Sequence, residues 1–459
     1  MRRGSLGVTV LALSMLAGCA LAPQPAPAPT LQIPAAWRTT VGPSAAAEAD
    51  WWKGFGDLAL NALVDAALTG NNDMRVAATR VREFQARLRI AEAGRLPTLD
   101  ANVTLSRASA LNSAGSTTLA NSFQGGLQAA YEIDLWGRLE SLVEAARADY
   151  EAQQAAQLGA MLSVAASAAS AYITLRGLDA QLELARATLV SRTQSLQLAR
   201  DQFRVGYSSR LELNQAEAEY RATTAMIPQL LQSIARQENA LSVLTGANPG
   251  PITRGPSLTE MPLPPVPEGL PSDLLRRRPD IRQAEQAIVA ADASLAAARD
   301  QLLPAVRLSA SVGRQGFSLS QLLDAPNRLW SVGGSILAPL FEGGRLRAQA
   351  DVAAAQRDRA IYLYENTVRT AFSEVENALS ALLRLKEQAT ELEARQVAAA
   401  EALRVVHNRY RNGYASYLEE LDAQRTLYSV QVNLIQARTN LLTAQVDLYR
   451  ALGGGWQLP

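Results

Sequence analysis

Gly137-Arg138-Leu139 and Gly344-Arg345-Leu346 repeat one tripeptide at a spacing of 207 positions, and Gly206-Tyr207 and Gly413-Tyr414 keep that spacing. The same offset joins Asp73 to Asp280, Leu96-Pro97 to Leu303-Pro304, Leu241 to Leu448 and Gly246 to Gly453. Stretches that share only an Ala- and Leu-rich composition align in many registers, but they cannot hold Gly and Pro in one. The chain is therefore an internal duplication, roughly 58–246 and 265–453, and its fold must use one unit twice.

Each copy carries two alternating segments in its middle. In Thr98–Arg107, Leu99, Ala101, Val103 and Leu105 are apolar and the residues between them polar; in Ser122–Asp134, Phe123, Leu127, Ala129, Tyr131 and Ile133 share one face. The second copy matches with Val306, Leu308, Ala310 and Val312, then Trp330, Val332, Ile336 and Leu340. This period of two predicts four strands in two hairpins, at about 98–107, 122–134, 305–313 and 328–340, joined by long loops at Ser106–Asn121 and Gly313–Asn327. Strands of about ten residues with one apolar face suit a membrane-spanning sheet, although a soluble sheet packed on helices shows the same alternation.

Around the strands the helical pattern predicts helices at 57–94, 138–204 and 211–245, and again at 273–302, 344–410 and 417–452. A helix of this greatest length reaches about 100 Å. The last helix has two heptad seams, Leu421, Tyr428, Ile435, Leu442 and Tyr449, and Leu427, Leu434, Leu441 and Leu448, which predict neighbours on both sides. Pro228 is expected to kink its helix.

The amino terminus sets the compartment. Met1-Arg2-Arg3, the short apolar run Leu6–Leu16 and Leu16-Ala17-Gly18-Cys19 have the layout of a secretory signal, and the last four residues resemble the lipobox of bacterial lipoproteins, with Cys19 the acylated residue. Five prolines between Pro23 and Pro34 then predict an extended tether. No later stretch has 18 uninterrupted apolar residues, so any membrane crossing falls to the strands. Four strands cannot close a barrel, and open edges in lipid leave backbone groups unsatisfied, so closure needs further copies; sequence permits any multiple of four strands.

The organisation expected is a signal peptide (1–18), a lipidated Cys and Pro-rich tether (19–50), repeat 1 (51–246), a Pro-rich linker (247–272), repeat 2 (273–453) and a short tail (454–459). Forty-four Lys and Arg against 43 Asp and Glu leave no basic excess for nucleic acid. One His and one Cys leave little for metal ligation, and no nucleophile elbow or phosphate-binding Gly loop is present, so an enzyme, a cofactor and a metal site are not expected.

Leu275-Arg276-Arg277-Arg278-Pro279-Asp280-Ile281-Arg282-Gln283-Ala284-Glu285, with Trp51-Trp52, Phe55, Asp57, Ala338-Pro339-Leu340-Phe341-Glu342-Gly343-Gly344-Arg345 and the two Arg-x-Gly-Tyr turns, resembles the TolC-like outer-membrane factors, in their lipoprotein (OprM/NodT-type) branch. The resemblance implies an α+β membrane protein, a homotrimer forming a twelve-stranded outer-membrane β-barrel continuous with a periplasmic α-barrel. It implies docking through a periplasmic adaptor to a proton-driven inner-membrane pump, and passive export of drugs or other small toxic molecules. Ala20 after Cys19 is what it associates with delivery to the outer membrane. It places adaptor docking at the turns, Arg204, Gly206, Tyr207 and Ser208 and Arg411, Gly413, Tyr414 and Ser416. It places a pore constriction at Glu419 and Asp422, with Tyr410 as the latching aromatic, while Ala415 stands where some members carry a latching Arg. Three copies of each acid would form rings that repel, raise each other's pKa and attract cations. His407 is expected at a surface or interface. Alternatives are a protein-secretion or metal-export duct of the same fold, a periplasmic adaptor, or a structural trimeric stalk.

Overall fold

The computed structural model describes residues 27, 30–39, 44–45, 49–111, 113, 115–267, 271–323 and 328–455. The signal peptide, Cys19, most of the Pro-rich segment and the last four residues lie outside them. The chain divides into two compact units, one of Met1–Thr30, Val81–Gln153 and Gln283–Glu365, the other of Leu31–Arg80, Gln154–Arg282 and Asn366–Pro459.

The first copy runs α1 (Leu58–Gly70), α2 (Asn72–Ala93), β1 (Thr98–Leu111), β2 (Thr117–Ile133), α3 (Arg138–Arg204) and α4 (Arg210–Leu244). The second runs α5 (Pro279–Asp300), β3 (Ala305–Gly316), β4 (Arg328–Leu337), α6 (Arg345–Arg411) and α7 (Tyr417–Ala451). Both long helices have 67 residues and both that follow them 35, each pair in the 207-residue register. Helix α4 continues through Pro228. An 18-residue window of α3 has a mean hydropathy of 1.6, and half of it is buried.

The single helix expected over 57–94 is broken at Asn71, which is extended (ψ 134°). Its side chain accepts from the Asp73 backbone N–H at 2.7 Å and donates to the Leu244 carbonyl at the end of α4 at 2.9 Å. Asn offers the backbone this local alternative to the helix ladder, which an apolar count does not register. In the second copy Arg278 takes the equivalent place, extended (ψ 123°) before Pro279, where the ring disfavours a helical predecessor. Its Nη1 donates to the Ala451 carbonyl at the end of α7 at 2.9 Å. Both carbonyls are ones a helix end leaves without a partner of its own. Beside Asn71 the chains meet so closely that a Cβ on Gly246 (φ +72°) would lie 2.2 Å from the Gly70 carbonyl oxygen.

In this second unit Trp51 stacks on Tyr449 at 5.2 Å. Asp57, fully buried, accepts from the Ala59 and Leu60 backbone N–H groups and from the Tyr172 hydroxyl at 2.8 Å. The Tyr172 oxygen accepts in turn from the Gly255 N–H, which fastens the inter-copy linker to α3. The segment read as a tether is held in places. Thr30 N–H donates to Glu365, Trp37 meets Phe372 edge-on, and Ser44–Ala45 pair in parallel with Val266–Pro267.

The first unit holds one four-stranded antiparallel sheet in the order β1-β2-β3-β4. Register sets Ala101, Leu127, Val312 and Trp330 in one row across it, and Leu99, Ala129, Ala310 and Val332 in another. Turned the other way are Asp100, Gln128, Ser311 and Ser331, and Glu132 beside Arg307. The apolar rows are largely exposed among the described residues, most of all on β4: Trp330 is 74% exposed, Val332 75% and Ile336 74%. Trp136 Nε1 donates to the Pro304 carbonyl at 2.8 Å where the strands leave the helices.

The strand ends differ from expectation. β1 and β2 run on past Arg107 and back before Ser122, pairing Ala108 with Ala120 and Leu111 with Thr117, so much of the expected long loop is strand. Small polar residues read as loop serve equally well in a strand solvated on one face. β3 likewise extends to Gly316, whereas β4 stops at Leu337, because Pro339 has no N–H for the ladder. Leu340 is therefore off the sheet and 95% exposed.

Candidate functional site

The ends of the two helical hairpins are built alike. Gly206 and Gly413 have φ of +76° and +75°. Tyr207 N–H donates to the Gln202 carbonyl and Tyr414 N–H to that of Arg409, both at 2.8 Å, while the glycine N–H groups reach Phe203 and Tyr410 at 3.0 Å. This closure satisfies the last carbonyls of α3 and α6, and glycine is the residue that adopts its left-handed position without strain. Ser209 then caps α4 and Ser416 caps α7. The predicted tip residues are displayed: Tyr207 is 80% and Tyr414 76% exposed, Arg204 pairs with Asp201, and Arg411 is exposed. Ser208, not itself the cap, keeps its hydroxyl buried and without a partner.

Glu419 and Asp422 lie one turn apart at the start of α7, both exposed. Glu419 is folded back on the turn: its Oε1 accepts from the Ser416 backbone N–H and hydroxyl, each at 3.0 Å, while Ser416 Oγ accepts from the Glu419 N–H. This is a reciprocal capping box. The Ser416 N–H, and then its hydroxyl, hold the Glu419 carboxyl below its ordinary value. Within one chain this runs opposite to the rise expected of a ring of acids. Tyr410 donates to Gln202 at 3.0 Å and so ties α6 to α3; burial, with Glu212 and Glu420 nearby, pushes its hydroxyl up to about 12.

Just inside the turns lies a charged network that the sequence reading missed. Glu420 is 2% exposed; its Oε1 accepts from Gln424 at 2.9 Å and lies 2.8 Å from His407 Nδ1. Arg192 of α3, 4% exposed, binds Gln424 and pairs with Glu219 of α4 at 3.3 Å. Glu219 also pairs with Arg425. Burial pushes the Arg192 guanidinium down, against the pull of Glu219. All four helices of the two hairpins are thus tied together at one level. Tyr417, 1% exposed, packs on Tyr410 with ring centroids 5.7 Å apart, and burial pushes its hydroxyl up to about 12. A cavity of 540 Å³ opens beside Tyr410, Tyr417, His407 and Glu420. One signal was legible: Glu420 stands seven residues before Leu427, at the head of an otherwise apolar seam, and a charge there has to be buried and paired.

Among the described residues no cluster of three or more His, Cys, Asp and Glu could hold a metal ion. The arrangement holds helix ends together and displays acids and tyrosines. The outer membrane efflux protein family matches twice, over 63–247 and 270–454, again in the 207-residue register. The solvent efflux pump outer membrane protein SrpC of Pseudomonas putida is 36% identical, covering 98% of each chain. Outer membrane protein OprJ of Pseudomonas aeruginosa is 34% identical over 99% of this chain and 97% of its own. The open-state MtrE outer membrane channel of Neisseria gonorrhoeae superposes with a TM-score of 0.85 at 33% identity, covering 95% of this chain and 98% of that one. On sequence, duplication and fold together, this chain belongs to the outer membrane efflux protein family and works in the outer membrane.

Proposed function

We propose that the chain is the exit duct of a tripartite efflux pump, three copies joining their sheets into a twelve-stranded outer-membrane barrel whose helices form a conduit in the periplasm. The observation that supports this is the sheet with two exposed faces. One carries Leu99, Leu127, Val312, Trp330 and Ile336 toward lipid; the other carries Asp100, Gln128, Ser311 and the Glu132–Arg307 pair toward water. The outer edges of β1 and β4 have no partner among the described residues, and in hydrocarbon each open edge group costs several kcal/mol. Eight strands enclose little more than side chains, whereas twelve leave a lumen.

On this reading energy coupling lies in a periplasmic adaptor and a proton-driven inner-membrane pump, which meet the tips at Arg204, Gly206, Tyr207 and Ser208 and at Arg411, Gly413, Tyr414 and Ser416. Glu419 and Asp422 ring the constriction and Tyr410 helps latch it. Cys19 carries the lipid anchor, and the cargo is drugs or other small toxic molecules, a class into which the solvents named for one relative would fall. The domain limits read from sequence follow the same scheme. The test is the mass of detergent-extracted protein, with conductance in planar bilayers: trimers that conduct are expected, and a monomer or a silent preparation would end the reading.

A further inference from the structure

The sheet has one joint between the two copies of the repeat, β2 against β3, and two outer edges, β1 and β4. In the 207-residue register β4 is the repeat of β2, and β1 is the repeat of β3. The two outer edges are therefore repeats of the two strands that already meet once inside the chain. A pairing that works at the inner joint is available again between one chain and the next.

The inner joint sets Phe123 opposite Gly316, Gly125 opposite Arg314, Leu127 opposite Val312 and Ala129 opposite Ala310. Moving the first residue of each pair up by 207 positions and the second down by 207 sets Trp330 opposite Ser109, Val332 opposite Arg107, Gly334 opposite Leu105 and Ile336 opposite Val103. Two properties of the strands agree with this register independently of the repeat. Residues 328–337 of β4 fall against 102–111 of β1, so Arg328 and Leu111, the outermost residues of the two strands, come level. The faces also agree: Val332, Gly334 and Ile336 lie on the side of Val306, and Val103, Leu105 and Arg107 on the side of Leu99, which is the same side of the sheet. A slip of one residue would turn one strand's set to the opposite side. A slip of two would keep the sides but leave one strand end overhanging the other. Across the inner joint Glu132 pairs with Arg307 at 3.4 Å, and the corresponding places at the outer joint hold Pro339 and Asp100. That ion pair is not copied, and the shared ladder ends at Leu337, where β4 itself stops before the proline.

We propose that β4 pairs antiparallel with β1 of a second copy of this chain in this register, with Gly334 opposite Leu105 and Ser335 opposite Thr104. The pairing rests on the barrel reading above and adds to it which residues meet at each seam. It is tested on the full-length, detergent-purified protein by oxidative cross-linking of Gly334→Cys/Leu105→Cys and of Ser335→Cys/Thr104→Cys. Successive pairs of an antiparallel ladder alternate between close and wide spacing, so one of these two suits a disulfide. Within one chain β1 and β4 are three strand spacings apart, about 14 Å, so a disulfide between them has to join two chains. The better of the two is expected to give about tenfold more covalent dimer and trimer than pairs slipped by two residues, in which Gly334→Cys is combined with Val103→Cys or Arg107→Cys, and Ser335→Cys with Asn102→Cys or Ser106→Cys. Single-cysteine variants show what Cys19, the one native cysteine, contributes. Slipped pairs that cross-link as well as the pairs in register, or no cross-link from either pair in register in a trimer that conducts, would overturn the pairing alone. A silent monomer would sink the barrel with it.

Discussion

Glu419 has two roles that pull in different directions. Within the chain it accepts two hydrogen bonds from Ser416, which favour its charged form; in a ring of three it would face its own copies. Because its folded value is depressed, its capping contribution is present above its ordinary value of 4.5 and is lost as pH falls through the lower folded one. Glu419→Gln should therefore weaken the α7 start at neutral pH and match the parent in strong acid, as read by amide exchange in that turn. Glu419→Gln with Asp422→Asn should reduce cation selectivity and divalent block in planar bilayers; unchanged selectivity would take both acids out of the pore. Asn71 is a different case, since its amide meets the Leu244 carbonyl. Asn71→Ala should cost roughly 1–3 kcal/mol in thermal or denaturant unfolding, the penalty of a buried group left unmade.

Among the elements, the sheet was the most legible and its limits the least. Alternation at Leu99–Leu105 and Val306–Val312 marks the residues that share one face without any structure, since a period of two fixes the side though not what lies against it. The outer parts of β1 and β2 were illegible, because Ala108, Ser109, Ala110 and Thr118 suit a solvated strand and a loop alike. Helix lengths could be read from Gly137, Gly206, Gly344 and Gly413, where the backbone turns left-handed. The break at Asn71 could not, for part of its reason lies in a carbonyl 173 residues away, whereas Pro279 marks the one at Arg278. The network about Glu420 was half legible: the seam showed that a charge had to be buried, and nothing in sequence showed that His407 would meet it directly and Arg192 through Gln424. The two faces give a paired prediction. Trp330→Arg should lower stability on refolding into lipid by about 2–4 kcal/mol, and Ser331→Arg, one residue along and turned the other way, by far less.

For the whole molecule the constant register is the governing fact, because family match, helix ends and joint carbonyls all repeat it. Attachment is a separate question that the described residues do not touch. Cys19→Ser is expected to abolish palmitate labelling, and persistent label would contradict the lipobox reading. Both seams of α7 are buried at their ends nearest Ala451, at Leu448 and at Leu442 and Tyr449, and half-buried at mid-length, at Leu427, Leu434 and Leu441 and at Tyr428 and Ile435. The duplication is also imperfect in one telling place. Ser416 and Glu419 grip each other both ways, whereas Ser209 only receives from Glu212. Three assembled copies would thus present six reversals of alternating firmness, three stiff and three yielding, and whatever fastens onto them would find threefold footing where the backbone alone offers sixfold.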